Sequence, residues 1–205
     1  NPLLNEKLAE FVGAVLGDGH IGCYKKGSKR GVYHIKIAGD LQKDKDYHLN
    51  YLKPLCKNIF QLDAKEIINE HERFLNIVSK ELINFFISIE IHPGNKIRNQ
   101  STIPKWIFKD KRYLMACLRG LIDTDGSIFR MSNKDPNLLR INFTNHNLTL
   151  LEDTRKAFLL LDFHPSKIIN NRQFYVSRQE EIEKYLREIG FSNLKHIKRL
   201  QEFQN

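Results

Sequence analysis

The same order of segments occurs twice along this chain, and this repeat constrains the fold more than any other feature. Each copy opens with a segment of helical apolar periodicity that ends at an Asp-Gly pair, at residues 5–18 and again at 112–125. An alternating segment follows in each copy, at residues 33–38 and 139–144, with apolar and polar side chains on opposite sides. A period of roughly a hundred residues indicates a domain-sized duplication.

The remaining segments repeat in the same way. Helices are predicted at residues 45–60, with a kink or break at Pro54, and at 148–161. Short strands follow at 65–69 and 74–78, and at 167–169 and 174–176. A closing helix starts at Ser79 in one copy and at Ser177 in the other, where Ser177-Arg-Gln-Glu180 has the spacing of a capping box.

We therefore predict an α+β fold of two pseudo-twofold halves. Each half has the order αββαββα, and the strands form two antiparallel sheets. The N-terminal half covers residues 1–95, a basic linker covers 96–111, and the C-terminal half covers 112–205.

Positive charge is clustered along the sequence. The formal net charge is +9 and the isoelectric point is about 9.4. Residues 96–112 contain six basic residues against the single acid Asp110, and residues 25–36 contain five basic residues and no acid. Clusters of this kind indicate a polyanionic partner, and nucleic acid is the expected one.

The three cysteines, Cys23, Cys56 and Cys117, are far apart and form no CxxC pair, which argues against a zinc site. Each has apolar neighbours, so we expect buried thiols in a reducing compartment. No apolar run approaches the length of a membrane span, and no signal peptide opens the chain. The expectation is an intracellular protein with no membrane partner, cytoplasmic in a prokaryote or organellar in a eukaryote.

An aspartate ends each of the two opening helices. Asp18 and Asp125 would face the negative end of the helix dipole, which costs on the order of 0.3–1 kcal/mol. A single Asp-Gly pair is an ordinary helix stop and turn. Because the pair occurs at equivalent positions in both copies, a positive partner is favoured, and a divalent cation with oxygen ligands is the simplest one.

Small residues lie on the same two helices. Gly13 and Gly17 are four residues apart, as are Gly120 and Thr124, and this spacing lets two helices approach closely. If the helices pack side by side, their terminal carboxylates emerge together. Two adjacent carboxylates, metal ions and a phosphodiester make a hydrolytic site.

These residues resemble a known motif. Leu118-Arg-Gly-Leu-Ile-Asp-Thr-Asp-Gly126 is similar to the LAGLIDADG motif and departs from it at Arg119 and Thr124. The segment 11–19 is a weaker match that keeps Gly13, Asp18 and Gly19, while Leu16 replaces the first aspartate. The duplicated plan resembles a single-chain LAGLIDADG homing endonuclease with two motifs.

The resemblance implies a saddle of two antiparallel sheets that straddles DNA, with the motif helices at the pseudo-twofold axis. It implies a monomer that cleaves both strands of a long double-stranded site, pseudo-palindromic or asymmetric, and leaves 3′ overhangs. The implied cofactor is Mg²⁺, with Ca²⁺ or Mn²⁺ able to substitute in binding.

The resemblance also implies roles for individual residues. The metal-binding acids are Asp18 and Asp125, with the preceding Gly17 and Thr124 included as metal ligands. Lys96 and Lys195 are the basic residues expected near the site, and Lys198 is a rival to Lys195. The inner acid Asp123 and its counterpart Leu16 are not carried over as catalytic.

Base recognition is expected from the sheet faces, in the major groove. The alternation selects His34 and Lys36 in one half, and Arg140 and Asn142 in the other. The hairpin loops add Tyr24, Lys26, Arg30, Arg130, Asn133 and Lys134.

Two other hypotheses remain open. The chain could be a nucleic-acid-binding protein that does not cleave, such as a maturase that assists splicing of intron RNA. It could also be an ordinary α+β enzyme or a structural domain with two Asp-Gly turns. The presence of both terminal acids favours the endonuclease, and the absence of flanking splicing blocks favours an intron-encoded enzyme over an intein.

Overall fold

The computed structural model describes residues 2–26, 30–132 and 138–204 of the 205-residue chain. The helices are α1 (Glu6–Asp18), α2 (Lys53–Phe60), α3 (Lys80–Ser88), α4 (Lys111–Asp125), α5 (Leu148–Leu160), α6 (Gln179–Glu188) and α7 (Leu194–Gln204). The strands are β1 (Gly19–Lys26), β2 (Arg30–Asp40), β3 (Lys65–Ile68), β4 (Glu72–Val78), β5 (Gly126–Arg130), β6 (Leu139–Thr144) and β7 (Gln173–Val176).

The strands form two antiparallel sheets, one in each half. The first has the order β1-β2-β4-β3 and the second has the order β5-β6-β7. Each opening helix runs directly into the first strand of its own sheet, so α1 leads to β1 and α4 leads to β5. The predicted fold class, α+β with two duplicated halves, is confirmed.

The sheet of the second half is shorter than predicted. Residues 167–169 do not form a strand, because only Ile169 bridges to Gln173. Upstream of that bridge, the backbone N–H of Tyr175 donates to the Ser166 hydroxyl at 3.0 Å. This side-chain bond takes the place of a ladder bond. The prediction of a fourth strand in this half was wrong.

The two closing helices begin differently. Ser79 caps α3, since its hydroxyl accepts from the backbone N–H of Leu82 at 3.1 Å. The capping box predicted at Ser177 is wrong, because α6 begins only at Gln179 and has no side-chain cap. The Ser177 hydroxyl instead accepts from Nε of Arg140 at 2.9 Å.

The helix around Pro54 changes its hydrogen-bonding pattern and does not end. Residues Tyr47–Leu52 form a π-helical turn in which the N–H of Lys53 donates to the His48 carbonyl. Proline has no N–H to donate, so the wider turn just before it accommodates the missing bond. The predicted irregularity is therefore a π-turn. Helix α7 was not predicted.

One hydrophobic core joins both halves. Every residue of α1 from Leu8 to Gly17 is buried, and β2 contributes Ile35 and Ile37 to the same cluster. Cys56 and Cys117 are buried as predicted, but Cys23 is exposed, so that part of the cysteine prediction was wrong. Among the described residues, no helix combines the length and apolar character needed to cross a lipid bilayer.

Candidate active site and nucleic-acid interface

Helices α1 and α4 touch through their backbones. A Cβ atom on Gly13 would lie 2.2 Å from the Cys117 carbonyl oxygen, and one on Gly120 would lie 2.2 Å from the Glu10 carbonyl oxygen. Only glycine fits at either contact, because both distances are far below van der Waals separation. The close packing predicted from the small residues is present.

The C-terminal ends of the two helices converge. A Cβ atom on Gly17 would lie 2.0 Å from the Thr124 hydroxyl and 3.4 Å from Oδ2 of Asp125. Burial, followed by the charge of Asp125, raises the pKa of Asp18 to about 7. Burial likewise raises the pKa of Asp125 to about 6, against the opposing charge of Lys96. The structure therefore brings the two predicted acids together.

Lys96 lies against the end of α1. Its ammonium donates to the carbonyl oxygens of Val15 at 3.3 Å and Leu16 at 2.8 Å, and also to that of Gly17. Burial lowers the pKa of Lys96, while the charges of Asp125 and Asp18 oppose this shift. The positive charge of Lys96 therefore offsets part of the negative charge at the end of α1, which was the reason for expecting a bound cation there. It also occupies the Gly17 carbonyl that was expected to bind metal.

Asn145 was missed by the sequence analysis. Its side-chain Nδ2 donates to Oδ2 of Asp125 at 2.7 Å, which helps to lower the pKa of that acid. Gly126 pairs with Phe143 in the β5–β6 hairpin, so the residues just after β6 return to the end of α4. A cleft of about 200 Å³ lies there, lined by Gly17, Lys96, Ile97, Asp125, Asn145 and His146 among others.

Lys195 lies near the acids but forms an ion pair. Its ammonium is 3.0 Å from Oδ1 of Asp44, and that same oxygen accepts from Asn193 at 2.8 Å. The charge of Lys195 lowers the pKa of both Asp18 and Asp125, so it contributes to the field of the site. Its rival Lys198 pairs with Asp46 at 3.4 Å on a more exposed surface.

Asp123 is fully buried and serves a different purpose. One carboxylate oxygen accepts from the backbone N–H of Ser192 at 2.9 Å, just before α7. Burial raises its pKa to about 8, although the backbone contacts of Ser192 and Asn193 oppose this shift. The acid fixes the loop that leads into the last helix.

The donor set fits a metal that completes its coordination with substrate and water. In the part of the chain that the structure describes, no group of three or more acidic, histidine or cysteine side chains could enclose a metal ion. Mg²⁺ commonly binds through one or two carboxylates together with phosphate oxygens and water. Asp18 and Asp125 offer that arrangement. Burial raises the pKa of both acids, and the charge of Asp125 raises that of Asp18 further.

The outer face of the first sheet carries three of the predicted DNA contacts. Tyr24, His34 and Lys36 alternate with the core residues of β1 and β2, and the Tyr24 ring lies 6.4 Å from that of His34. The Lys36 ammonium lies 6.0 Å from the centroid of the Phe74 ring. Four other hairpin predictions fall outside the described residues, namely the side chains of Lys26 and Arg30 and all of Asn133 and Lys134.

The second sheet corrects one prediction. Arg130 lies on the same side of β5 as the core residue Ile128. There its guanidinium stacks on the ring of Phe203 in α7 at 4.9 Å and donates to the Phe203 carbonyl. It is therefore turned away from the outer surface. Arg140 and Asn142 do lie on the outer face, but the Asn142 amide is engaged by the hydroxyls of Ser127 at 2.6 Å and Thr144 at 3.1 Å.

Comparison with known proteins agrees with this architecture. Residues 112–190 match the family model described as LAGLIDADG-like domain. The crystal structure of I-DmoI in complex with DNA and Mn superposes with a TM-score of 0.67 at 18% identity, over 91% of this chain and 97% of that one. A structure of the N-terminal LAGLIDADG domain of DUF199/WhiA superposes with a TM-score of 0.58 at 18% identity, over 91% and 83% of the two chains.

A sequence relative is a replication factor C small subunit from Methanocaldococcus jannaschii. It is 32% identical over 128 residues, which are 58% of this chain but only 7% of that protein. The activity of so much larger a protein does not carry over to this chain. The family match and the two-sheet superposition show that residues 112–190 form a LAGLIDADG-like domain and that most of the chain has the fold of the homing endonuclease I-DmoI.

Proposed function

We propose that the protein is a site-specific endonuclease that hydrolyses both strands of double-stranded DNA. The observation that carries the proposal is the convergence of Asp18 and Asp125 at the ends of two helices in backbone contact, each with a raised pKa. A purely structural pair of like charges would be unfavourable, and perturbed carboxylates gathered in this way are typical of catalytic centres.

Asp18 and Asp125 would hold the divalent cations. Mg²⁺ is the expected cofactor, and Mn²⁺ or Ca²⁺ would take its place in binding, as I-DmoI structures with DNA and either Mn or Ca support. Cations held there supply neutralisation of the scissile phosphate, a nucleophilic water and stabilisation of the leaving oxygen. Lys96 adds a positive charge beside the phosphate position, and Asn145 orients the carboxylate of Asp125.

The acids must be ionised to bind a cation. Because their pKa values are about 7 and about 6, proton release accompanies metal binding at neutral pH. Cleavage should therefore increase as pH rises from about 6 to 8, and higher cation concentration should move this rise to lower pH.

The DNA would lie across the outer faces of both sheets, with the protein acting as a monomer. The two sheets and the net charge of +9 suit a long duplex with phosphates on both sides of the cleavage site. The proposed enzyme leaves 3′ overhangs, acts in intron homing and works inside the cell. The residues proposed for base contact are Tyr24, Lys26, Arg30, His34, Lys36, Asn133, Lys134, Arg140 and Asn142.

A second candidate is a binding protein that does not cut, with intron RNA as one possible substrate class. The observation that favours it is the similar fold of the N-terminal LAGLIDADG domain of DUF199/WhiA, because the fold by itself does not decide whether a chain cleaves. Both lysines near the acids are also engaged within the protein, Lys195 by Asp44 and Lys96 by the carbonyl oxygens at the end of α1, which limits what either can offer to a substrate.

A binding selection followed by a cleavage assay separates the two candidates. The protein is incubated in Ca²⁺ with a randomised duplex library, and the bound DNA is recovered and then challenged in Mg²⁺. If the protein is an endonuclease, we expect double-strand breaks in the selected DNA. Asp18→Asn or Asp125→Asn should then lower the cleavage rate at least about a hundredfold. The control is Asp162→Asn, the same change at a side chain that is 81% exposed, which should cut at the normal rate.

The outcome that contradicts the endonuclease is tight and selective binding with no breaks in Mg²⁺ or Mn²⁺. If an RNA competitor also displaced the selected DNA at equal concentration, the splicing-type function would be favoured.

A further inference from the structure

The two sheets carry different chemistry at one matching position of their outer faces. Ile35 of β2 pairs with Ile21 and Ile77, and Ile141 of β6 pairs with Ile128 and Val176, so these two isoleucines correspond. The residues just before them also correspond: His34 in the first half matches Arg140 in the second. One step along the neighbouring strands, Val78 matches Ser177.

In the second half this position holds an oriented guanidinium. Nε of Arg140 donates to the Ser177 hydroxyl at 2.9 Å, and its Cζ lies 4.8 Å from the centroid of the Tyr175 ring. Among the described residues, no acceptor or carboxylate pairs with the two terminal nitrogens of Arg140. An arginine fixed on one edge and one face loses little side-chain freedom when its free edge binds a planar acceptor pair.

In the first half the same position has no charged group to offer. His34 is only 9% exposed, and its ring lies so close over Gly22 that a Cβ there would be 2.6 Å away. Burial, followed by the charge of Lys36, lowers the pKa of His34, so the imidazole is neutral near pH 7. Val78, where the other half has Ser177, is 68% exposed and presents methyl groups on the outer face.

We propose that Arg140 reads a guanine in the half-site bound by the second sheet, whereas Val78 contacts a thymine methyl at the symmetry-related base pair of the other half-site. This inference rests on the proposed DNA-binding function. Two terminal guanidinium nitrogens match the O6 and N7 acceptors of guanine in the major groove, and an apolar side chain matches the C5-methyl of thymine. The target is therefore asymmetric at this pair of positions.

Base preference is measured by sequencing duplexes that the intact chain selects from a randomised library in Ca²⁺, with no cleavage required. The wild type should give one position dominated by guanine, and a preference for thymine at its symmetry mate. Arg140→Gln should reduce the guanine preference at least tenfold, with the other positions unchanged. Val78→Ser should reduce the thymine preference by a smaller factor, since a methyl contact is weaker than a bidentate pair.

Two further variants separate base recognition by Arg140 from non-specific electrostatic attraction to DNA. Ser177→Ala keeps the charge of Arg140 but frees its guanidinium, so it should weaken the guanine preference without changing the salt dependence of binding. Arg130→Gln is the matched control: it removes an arginine of the same sheet that is turned inward onto Phe203, and it should leave every base preference unchanged.

The inference is overturned if Arg140→Gln lowers affinity equally for all sequences, because that is the behaviour of a phosphate contact. Selection of a guanine that depends on Arg140, in a protein that never cuts, would support this inference while refuting the endonuclease. A protein that cleaves DNA, but whose base preference does not change in Arg140→Gln, would support the endonuclease and refute this inference. Failure to select any DNA would overturn both.

Discussion

The side-chain amide of Asn145 donates to Oδ2 of Asp125 at 2.7 Å, whereas no described side chain donates to the carboxylate of Asp18. The two acids of the site are therefore supported unequally. Burial raises the pKa of both acids, and the hydrogen bond from Asn145 opposes that rise at Asp125 because it favours the ionised form.

Asn145→Ala should move the pH dependence of cleavage to higher pH. The lost hydrogen bond stabilises ionised Asp125, so its removal raises the pKa of that acid further and weakens cation binding at pH 7. We expect a several-fold loss of rate at pH 7 that shrinks toward pH 9 or at high Mg²⁺. Rates measured across pH 6–9 test this, and a loss of equal size at every pH would show that Asn145 acts in some other way.

The position of Asp18 and Asp125 could be predicted because local rules determine it. Apolar periodicity locates the helices, Asp-Gly marks their ends, and small residues four apart indicate which faces meet. These features require no knowledge of distant contacts. The same applies to the strand at 139–144, whose alternating polar and apolar residues place Arg140 on the outer face of the sheet.

The remaining features depend on register and on long-range packing. Asn145 reaches Asp125 only through the pairing of β5 with β6, and the length of that hairpin is not evident from composition. Arg130 is turned inward by its contact with Phe203 of α7, a helix that was not predicted although Leu194, Ile197 and Leu200 recur at helical spacing. Ser177 has the spacing of a helix cap, but its hydroxyl instead accepts a hydrogen bond from Arg140 on the neighbouring strand.

Lys96→Met should destabilise the protein as well as slow cleavage. The ammonium satisfies carbonyl oxygens at the end of α1, and buried carbonyls left without donors cost about 1–3 kcal/mol. Urea unfolding measures the free energy of unfolding. Lys105→Met is the matched control, because it removes the same charge from the same linker at a side chain that is 89% exposed. Equal stability of the two variants would contradict the capping role.

Gly13→Ala should destabilise the protein even though alanine favours helices. Helix propensity alone would stabilise α1 by about 1 kcal/mol, but the added methyl would lie 2.2 Å from the Cys117 carbonyl oxygen. Forcing the helices apart should lower the free energy of unfolding by about 2 kcal/mol or more and disturb the spacing of the two acids. Gly190→Ala, at a φ of +66°, would place its Cβ 3.5 Å from the Leu186 carbonyl oxygen, an ordinary van der Waals contact, and should cost only about 1 kcal/mol through backbone strain. A stabilised Gly13→Ala variant would refute the backbone contact.

Asp123→Asn should change how stability depends on pH. Burial raises the pKa of Asp123 from 3.8 to about 8, so folding favours its protonated form. The aspartate therefore lowers the free energy of unfolding progressively as pH rises from about 4 to 8, and adds no further pH dependence outside that window. An asparagine can still accept from the Ser192 N–H, and any cost of its unpaired amide does not vary with pH. Urea unfolding at pH 5 and pH 8 should show the variant gaining on the wild type by on the order of 1–3 kcal/mol at the higher pH. A constant difference between the two proteins would mean that Asp123 is ionised in the native state throughout.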